Sequence, residues 1–390
     1  MGPLSGMTVV EVGGFITAPY AGQLMADLGA RVIKVEMPGS GDPFRSWQGG
    51  TYSPHFLAYN RSKLSVTLDL KQSEGREAFL KLIEHADAFI ENFRPGVADR
   101  LGLSYKELSA INERLVYCSI SGFGDDGPYA MRPAFDTVGQ ALSGLLAATV
   151  DPAEPRLRGP AVSDSLTGLF AAYGLLGGLV SAQRTGKGQR VATSLLESSV
   201  AYLLQSFAMY FINNVPPTVD ERPRISQAYI LGCADDRRIA IHMSSPQVFW
   251  VALCSAIDRT DLTTDPRFVT HSDRLAHYDE IEAILRPVFA TADRDTWSAR
   301  LSEAGVPHAP VLELDEVLQD PQVRHLGLEQ RVEHPEKGPV RLLGFPVRYS
   351  GTPLPESAAP PVLSEHSDAV LAEVGYSPEE IQRLRSNGII

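Results

Sequence analysis

The sequence predicts an α/β protein built on a parallel β-sheet, with a second, smaller unit of strands and helices. Short apolar runs alternate with segments of helical period in the first third of the chain, which is the pattern of a parallel sheet covered on both faces. From about residue 136 the pattern is helical, and between 226 and 310 strand-like runs precede helices. The length of 390 residues, with 44% hydrophobic and 21% charged residues, is ordinary for a soluble protein of two or three domains.

Each element follows from a local pattern. Runs of β-branched and apolar residues predict buried strands at 7–12, 31–36, 65–70, 88–93 and 115–123. Helical spacing predicts helices at 18–29, where Gly29 is the stop, at 73–85 and near 104–112. Further helices are predicted at 136–150 and 163–184, and a turn, a strand and a long helix at 185–207. In the smaller unit, strands are predicted near 228–233 and 237–243.

The least polar run of the chain lies at 166–182 and contains four glycines. It is slightly short for a membrane span. A buried helix with close neighbours is therefore the preferred interpretation, and no membrane association is expected.

Charge and cysteine content exclude several classes of protein. The net charge of −12 argues against a nucleic-acid binder, which needs a basic face. The three cysteines are widely spaced and show no CxxC pair, and no His, Asp or Glu cluster has metal-ligand spacing, so neither a disulfide framework nor a metal site is expected. The first residues lack the pattern of a signal peptide, and we expect a cytoplasmic protein with reduced thiols.

Two glycine-containing turns could bind a ligand. The turn after the first strand, with Glu36 about 20 residues on, resembles a dinucleotide fingerprint, but Gly13 and Gly14 are adjacent and no GxGxxG follows. NAD is therefore not expected. The loop PGSGD at 38–42 could approach an anion, although an ordinary turn explains it equally well.

Basic residues recur near the predicted carboxyl ends of strands, where open α/β sheets bind ligands. They suit a phosphorylated ligand, but they could equally be solvated surface charges, and spacing alone leaves both interpretations open. The residues are Arg61, Lys63, Lys71, Arg94 and Arg100.

Asp164 lies at the start of a predicted helix, in the segment GPAVSDSLTGLF. A carboxylate there is typically an N-cap or first-turn acid. We expect the helix dipole to keep it ionised, and neighbouring N–H groups to be able to stabilise an oxyanion. Structural and chemical roles are therefore compatible in this residue.

Taken in order, the motifs of the chain resemble those of the class III CoA-transferases, the CaiB/BaiF family. The resemblance extends over essentially the whole length, and each motif is weak alone but specific in this order. The motifs are LSGMTVVEV, DLGARVIKVEMPGSGD, NRSKLSVTLDLK, ENFRPGVADRLGL, YCSISGFGDDGP, FDTVGQALSG, VSDSLTGL, TGKGQRVATSLLE and LSEHSDAVL.

The resemblance implies a Rossmann-like large domain made from both ends of the chain, at 1–212 and 335–390. It implies a smaller α+β domain at 226–315, joined by linkers at 213–225 and 316–334. Two such chains would form an interlocked-ring homodimer, a rare exception to the rule against threaded connections.

The resemblance also implies the site. It makes Asp164 the nucleophile of a CoA transfer from an acyl-CoA to a carboxylic acid through an aspartyl-CoA thioester, with CoA as substrate and no tightly bound cofactor. It implies CoA contacts at Leu68, Asp69, Lys71, Asn92, Phe93, Arg94, Arg100, Pro133, Phe135 and Asp136.

Departures from the family pattern refine the function. Met37 stands where many members have an Arg that contacts CoA, and Ile16 stands where formyl-CoA transferases have Gln. Those enzymes also have a glycine-repeat loop that is missing near 226–234. The sequence is therefore placed nearest to the succinyl-CoA-type, dicarboxyl-CoA branch.

Two functions other than CoA transfer are compatible with parts of this pattern. The related α-methylacyl-CoA racemases need a catalytic His, and Phe135 occupies that position, which disfavours racemisation. A CoA-binding protein without catalysis is the third possibility.

Overall fold

The computed structural model describes residues 2–47 and 52–390. The chain forms two compact units. The first comprises Met1–Ala147, Glu154–Ala208 and His325–Ile390, and the second comprises Ala148–Ala153 and Met209–Arg324.

The first unit contains a six-stranded parallel sheet in the order β3-β2-β1-β4-β5-β6. This is the strand order of a doubly wound Rossmann-type sheet, and it confirms the predicted parallel α/β fold. The order reverses between β1 and β4, which makes the carboxyl ends of these two strands the expected ligand crevice. The strands are β1 Thr8–Val12, β2 Arg31–Glu36, β3 Lys63–Thr67, β4 Ala88–Glu91, β5 Val116–Ser121 and β6 Arg190–Ser194.

Helices cover both faces of this sheet, because alternate strand residues point to opposite sides. Val9 of β1 packs with helices α1 and α8, whereas Val10 and Val12 pack with helices α3, α5, α18 and α19. The helices of the first unit are α1 Thr17–Asp27, α2 Pro54–Tyr59, α3 Ser73–Glu84, α4 Val97–Leu101, α5 Tyr105–Ile111, α6 Asp136–Leu142, α7 Leu145–Thr149, α8 Val162–Thr185, α9 Leu195–Tyr202, α10 Leu204–Asn213, α18 Ser367–Glu373 and α19 Pro378–Ser386. Of these, α7 and α10 extend across the bounds of the two units.

Helix α8 is long and apolar enough to cross a membrane by length and composition alone, but 44% of its most apolar segment is buried. Its glycines allow close packing. A Cβ at Gly168 would lie 2.9 Å from Tyr20 Cδ1 of α1, and a Cβ at Gly178 would lie 2.6 Å from Val116 Cγ1 of β5. The prediction of a helix with close neighbours is therefore correct, although one of its faces is exposed.

The second unit is an antiparallel sheet of β7 Ala228–Gly232, β8 Arg238–His242 and β9 His308–Pro310, packed on one face by helices. Alternation of buried and exposed residues along β7 and β8 leaves the other face open. Its core is built around Trp250, Trp297 and Phe289. The helices are α11 Glu221–Ser226, α12 Gln247–Ala256, α13 His271–Ala276, α14 Tyr278–Phe289, α15 Arg294–Ala304, α16 Leu314–Val317 and α17 Pro321–Leu326, the last crossing into the first unit.

The segments predicted as linkers contain regular structure. Helix α11 begins inside 213–225, and 316–334 contains α17 and the strand β10 Glu329–His334. This strand pairs with β11 Gly338–Leu343 as an antiparallel hairpin. The proline-rich stretch that follows belongs to the first unit as well, and Ser62 N donates to Ala358 O at 3.1 Å.

Candidate active site

Three cavities meet at the carboxyl edge of the parallel sheet, and Phe93 and Arg94 line all of them. We name them after one lining residue each. The Asp164 cavity has a volume of about 210 Å³, the Lys71 cavity about 420 Å³ and the Glu91 cavity about 380 Å³. Their position agrees with the crevice expected where the strand order reverses.

Asn92 joins the two loops that flank this crevice. Its Nδ2 donates to Gly14 O at 2.8 Å and to Thr17 Oγ1 at 3.0 Å, and its Oδ1 accepts from Gly14 N at 3.2 Å. The loop after β1 is therefore attached to the end of β4. Asn92 lines both the Asp164 and the Lys71 cavities, so its predicted place at the site is accompanied by a positioning role.

A buried cluster of charged side chains also supports the loop after β1. Lys34 Nζ lies 2.8 Å from Glu11 Oε1 and 2.9 Å from Asp42 Oδ2, and it donates to Gly13 O at 2.8 Å. Burial lowers the pKa of Lys34, but the charges of Asp42 and Glu11 raise this pKa by more. The Lys34 side chain therefore stays charged. Asp42 Oδ1 accepts from Phe15 N at 3.2 Å. These bonds hold Phe15 at a φ of 64°, a conformation that non-glycine residues rarely adopt.

The two glycine-containing turns are thus structural. Glu36, the residue that a dinucleotide ribose would need, is bound by Arg45 through two hydrogen bonds of 2.7 Å and by Ser65 Oγ at 2.7 Å. Asp42 ends the PGSGD loop and turns into the charged cluster, because its carboxylate pairs with Lys34. The expectation that NAD does not bind is consistent with a Glu36 that already has its partners.

Asp164 occupies the third position of α8 and lines the smallest cavity. This confirms the first-turn placement. Burial and the negative charge of Asp136 raise the pKa of the Asp164 carboxyl to about 7. The charge of this group is therefore not set by the helix dipole alone, since loss of water and a like charge both favour the neutral form.

Asp136 begins α6 and faces the start of α8. Its Oδ1 accepts from Asp164 N at 3.2 Å, and its Oδ2 accepts from Gln140 Nε2 at 2.6 Å. The helices approach closely because position 139 is glycine, where a Cβ would lie 2.4 Å from Ser163 Oγ. Asp136 does not line the cavity itself, and in this structure it contacts the predicted nucleophile.

Sequence reasoning missed two aromatic residues at the site. The Tyr59 side chain of α2 is hydrogen-bonded to Ser165, and burial, together with the charges of Asp164 and Asp136, raises the Tyr59 pKa. Phe15 lines both the Asp164 and the Lys71 cavities, and its ring centroid lies 6.0 Å from that of Phe135. The glycine pair before Phe15 was a usable signal, whereas nothing in the sequence around Tyr59 indicates it.

The five basic residues separate into two groups. Arg61 and Lys63 are buried and occupied, so neither interpretation offered for them was correct. Arg61 Nε donates to Asp27 Oδ1 at 2.9 Å, and Lys63 Nζ lies 2.8 Å from Glu11 Oε2. Lys71, Arg94 and Arg100 are exposed, and the first two line the Lys71 cavity.

The other residues predicted to contact CoA are divided in the same way. Leu68, Asn92 and Phe93 line the Lys71 cavity, as does Met37, and Phe135 and Ile16 line the Asp164 cavity. Asp69 Oδ1 instead accepts from Lys71 N at 3.0 Å and shapes the turn after β3. Asp69, Arg100 and Pro133 are absent from the described linings of all three cavities. The CoA contacts as a set stay a prediction.

A fourth cavity, larger than these three, lies wholly within the second unit and has a volume of about 770 Å³. Two of its carboxylates already have partners. Asp279 Oδ2 lies 2.7 Å from Arg224 Nη2, and Glu282 Oε1 lies 2.5 Å from Arg286 Nη2. None of the predicted site residues lines it, so size alone does not mark the reactive centre.

The site can be compared with known proteins. Residues 4–367 match the model of CoA-transferase family III. The chain is 36% identical over 378 residues to the acetyl-CoA:oxalate CoA-transferase of Acetobacter aceti, which covers 95% of this chain and 96% of that protein. It is 34% identical over 401 residues to the succinyl-CoA:glutarate CoA-transferase of Mus musculus, with 100% and 91% covered.

A solved structure agrees. A CaiB/BaiF family protein from Brucella suis is 34% identical, with a TM-score of 0.86 and coverage of 96% of this chain and 99% of that chain. The relatives transfer CoA between acyl-CoA thioesters and acids, and the match extends over nearly the whole chain. The chain belongs to CoA-transferase family III and is a CoA-transferase.

Proposed function

We propose that Asp164 carries CoA between two acids as a covalent thioester. Its carboxylate attacks the donor thioester carbonyl, and the C–S bond breaks to give a mixed anhydride and CoA thiolate. The thiolate then attacks the aspartyl carbonyl, which releases the donor acid and leaves aspartyl-CoA. The acceptor carboxylate attacks this thioester, and the thiolate released attacks the acceptor carbonyl, which forms the new acyl-CoA and frees Asp164. One difficult transfer is thereby divided into easier steps.

One observation carries this proposal: a carboxyl group with a pKa of about 7 lines a small cavity at the strand-order reversal. A carboxylate of high basicity is a better nucleophile than an ordinary exposed aspartate, and it is still substantially ionised near neutral pH. A carboxylate also suits the role chemically, because either an acyl group or CoA can be attached to it at comparable free energy.

The cations at the neighbouring cavity support a place for the CoA nucleotide. Lys71 and Arg94 line the Lys71 cavity, and both are exposed. Such side chains suit phosphate oxygens. A nucleotide held there would keep the released thiolate beside Asp164 for its second attack, which is the advantage of remote binding.

We propose a dicarboxyl-CoA, of the succinyl-CoA type, as donor. The mouse relative is named for succinyl-CoA and glutarate, whereas the Acetobacter relative is named for acetyl-CoA and oxalate. Ile16 in the Asp164 cavity is the departure that argues against formyl-CoA and oxalate. Racemisation is not favoured, since Phe135 cannot exchange a proton.

We further propose the interlocked homodimer that the family resemblance implies. Its support is a group of exposed apolar side chains on neighbouring helices of the first unit, here called the helix surface. Grouped exposed apolar residues mark interaction sites more often than isolated ones do. The residues of the helix surface are Val138 and Leu142 of α6, Leu169, Phe170, Tyr173 and Val180 of α8, and Val200 and Tyr202 of α9.

Intact-protein mass spectrometry tests the covalent step. After incubation with succinyl-CoA, glutaryl-CoA or acetyl-CoA, we expect a CoA-sized adduct on the wild-type chain and none on Asp164→Ala. The exposed Asp126 gives a matched control, and Asp126→Asn is expected to form the adduct normally. An adduct that persists in Asp164→Ala would refute the assignment of the nucleophile. Deuterium exchange at the α-carbon of a 2-methylacyl-CoA without any adduct would favour the racemase instead.

A further inference from the structure

The Asp164 cavity contains a cation that the sequence analysis did not single out. Among its lining residues, Asp164 is the carboxylate, and Arg94 and Arg132 are the basic groups. Arg94 also lines the other two cavities of the crevice, whereas Arg132 lines the Asp164 cavity and neither of the other two. Arg132 is therefore placed to act on the reacting end of a substrate.

The guanidinium of Arg132 is held in place without an ion pair. Its Cζ lies 3.8 Å from the ring centroid of Tyr129, and Arg132 N donates to Tyr129 O at 2.9 Å. The Tyr129 ring in turn makes an edge contact with Phe123 at 6.1 Å. Within residues 2–47 and 52–390, no carboxylate lies within ion-pair distance of Arg132.

Arg190 differs from Arg132 because its guanidinium already has partners within the protein. Arg190 lines the Glu91 cavity, but its Nη2 lies 2.6 Å from Asp125 Oδ2 and 2.8 Å from Ser119 Oγ. The charge of Arg190 is already compensated by the protein. The charge of Arg132 is stacked on an aromatic ring and keeps its hydrogen-bond donors available for an anion.

We propose that Arg132 binds the distal carboxylate of a dicarboxyl substrate, the carboxylate that does not react with Asp164. This inference rests on the proposed function. During the reaction, one end of the substrate is attached to Asp164 or faces it. The second carboxylate lies in the same small cavity, where it loses hydrogen bonds to water that the protein must replace. A guanidinium fork does this with two parallel hydrogen bonds, which fixes chain length as well as charge.

The test compares two thioesters that differ in the distal carboxylate, glutaryl-CoA and pentanoyl-CoA. Rates of adduct formation on Asp164 are measured by intact-protein mass spectrometry for wild type and Arg132→Gln. We expect Arg132→Gln to slow the reaction of glutaryl-CoA about 10- to 100-fold, the range lost with one charged hydrogen-bonding partner. The rate with pentanoyl-CoA should be unchanged, and Arg132→Lys should recover part of the glutaryl-CoA rate.

Calorimetric titration with CoA separates this role from a CoA contact, and the exposed Arg114 provides a control in Arg114→Gln. We expect the Kd for CoA to be the same in the wild type, in Arg132→Gln and in Arg114→Gln. An equal loss of rate with both thioesters, or weaker CoA binding in Arg132→Gln, would overturn the assignment of Arg132 alone. Absence of an adduct on the wild-type chain with every thioester would overturn the proposed function and this inference with it.

Discussion

At the scale of single residues, the environment of Asp164 decides its chemistry. The carboxyl is in the first turn of α8, where a dipole favours the ionised form, but burial and Asp136 favour the neutral form. Burial and the charge of Asp136 together raise the pKa of Asp164 to about 7. A nucleophile with such a pKa reacts only in its ionised fraction, so the proposed transfer depends on pH close to neutrality.

The rate of adduct formation should therefore rise with pH through about 7. Because the reactive carboxylate is lost as pH falls through its pKa, we expect a rate about tenfold lower at pH 6 than at pH 8 under subsaturating acyl-CoA. Quenched-flow sampling followed by intact-protein mass spectrometry would measure this rate at each pH. A rate that is constant from pH 5.5 to 8.5 would contradict the raised pKa.

The variant Asp136→Asn examines the cause of this shift. An amide oxygen can still accept from Asp164 N, but the like charge is removed, so the Asp164 pKa falls and the pH profile moves to lower pH. Gln140, which donates to Asp136, offers a control. Gln140→Leu removes this hydrogen bond but keeps the charge of Asp136, so the rate should still rise with pH as it does in the wild type. A profile of Asp136→Asn that moves to higher pH would rule out the electrostatic explanation.

At the scale of elements, helix α8 connects the site to the sheet. Its glycines at 168 and 178 allow it to lie directly against α1 and β5, and this packing determines where Asp164 stands relative to the loop after β1. The neighbouring glycine at 177 faces outward and has nothing within 4 Å of the position of a Cβ. Two adjacent glycines of one helix therefore have different physical roles.

The variants Gly178→Ala and Gly177→Ala should differ in stability. A Cβ at 178 would meet Val116 Cγ1 at 2.6 Å, so Gly178→Ala should lower the free energy of unfolding by about 1–3 kcal/mol. At 177 alanine gains helix propensity of about 1 kcal/mol without a clash in the chain. Denaturant unfolding measures both, with light scattering to confirm that the oligomeric state is unchanged. Equal stability of the two variants would contradict the packing described for α8.

At the scale of the whole molecule, eight of the exposed apolar residues belong to three helices that contact one another, α6, α8 and α9, and they form the helix surface defined above. Tyr173 of α8 is the most exposed residue of the helix surface, at 76%, and the sheet face behind α8 is buried. Burying such a surface against a second copy removes apolar area from water, which is the main driving force of stable association. The proposed homodimer would bury this surface.

Light scattering in solution should give twice the chain mass for the wild type. Tyr173→Glu, which puts a charge in the middle of the helix surface, should shift the population toward monomer or aggregate. The control is Ile111→Glu, because Ile111 of α5 is exposed on the opposite face of the sheet, and it should remain dimeric. A monomeric wild-type chain, or a Tyr173→Glu variant that dimerises as well as the control, would contradict this proposal.

Much of the fold and part of the site could be predicted from the sequence, because short segments of the chain show recognisable patterns. Apolar runs alternating with helical segments predicted the parallel strands β1 to β5 within a few residues, and the resemblance of VSDSLTG to a family motif singled out Asp164. The order of the motifs also indicated the family, which the comparisons confirm. Tyr59 and Arg132 were missed because each is an ordinary residue in its local sequence. Tyr59 comes close to Asp164 only through the packing of α2, and Arg132 reaches the Asp164 cavity only through the Tyr129 turn.

The sequence by itself thus determined the fold class, the family and the candidate nucleophile. Only the tertiary structure decided which charges are available. Lys63 and Arg61 look like surface cations in the sequence, yet Glu11 and Asp27 bind them in the interior. Asp164 looks like an ionised cap, yet Asp136 and burial raise its pKa. The physical reason is that charge state and availability depend on desolvation and on partners distant along the chain, which local sequence does not encode.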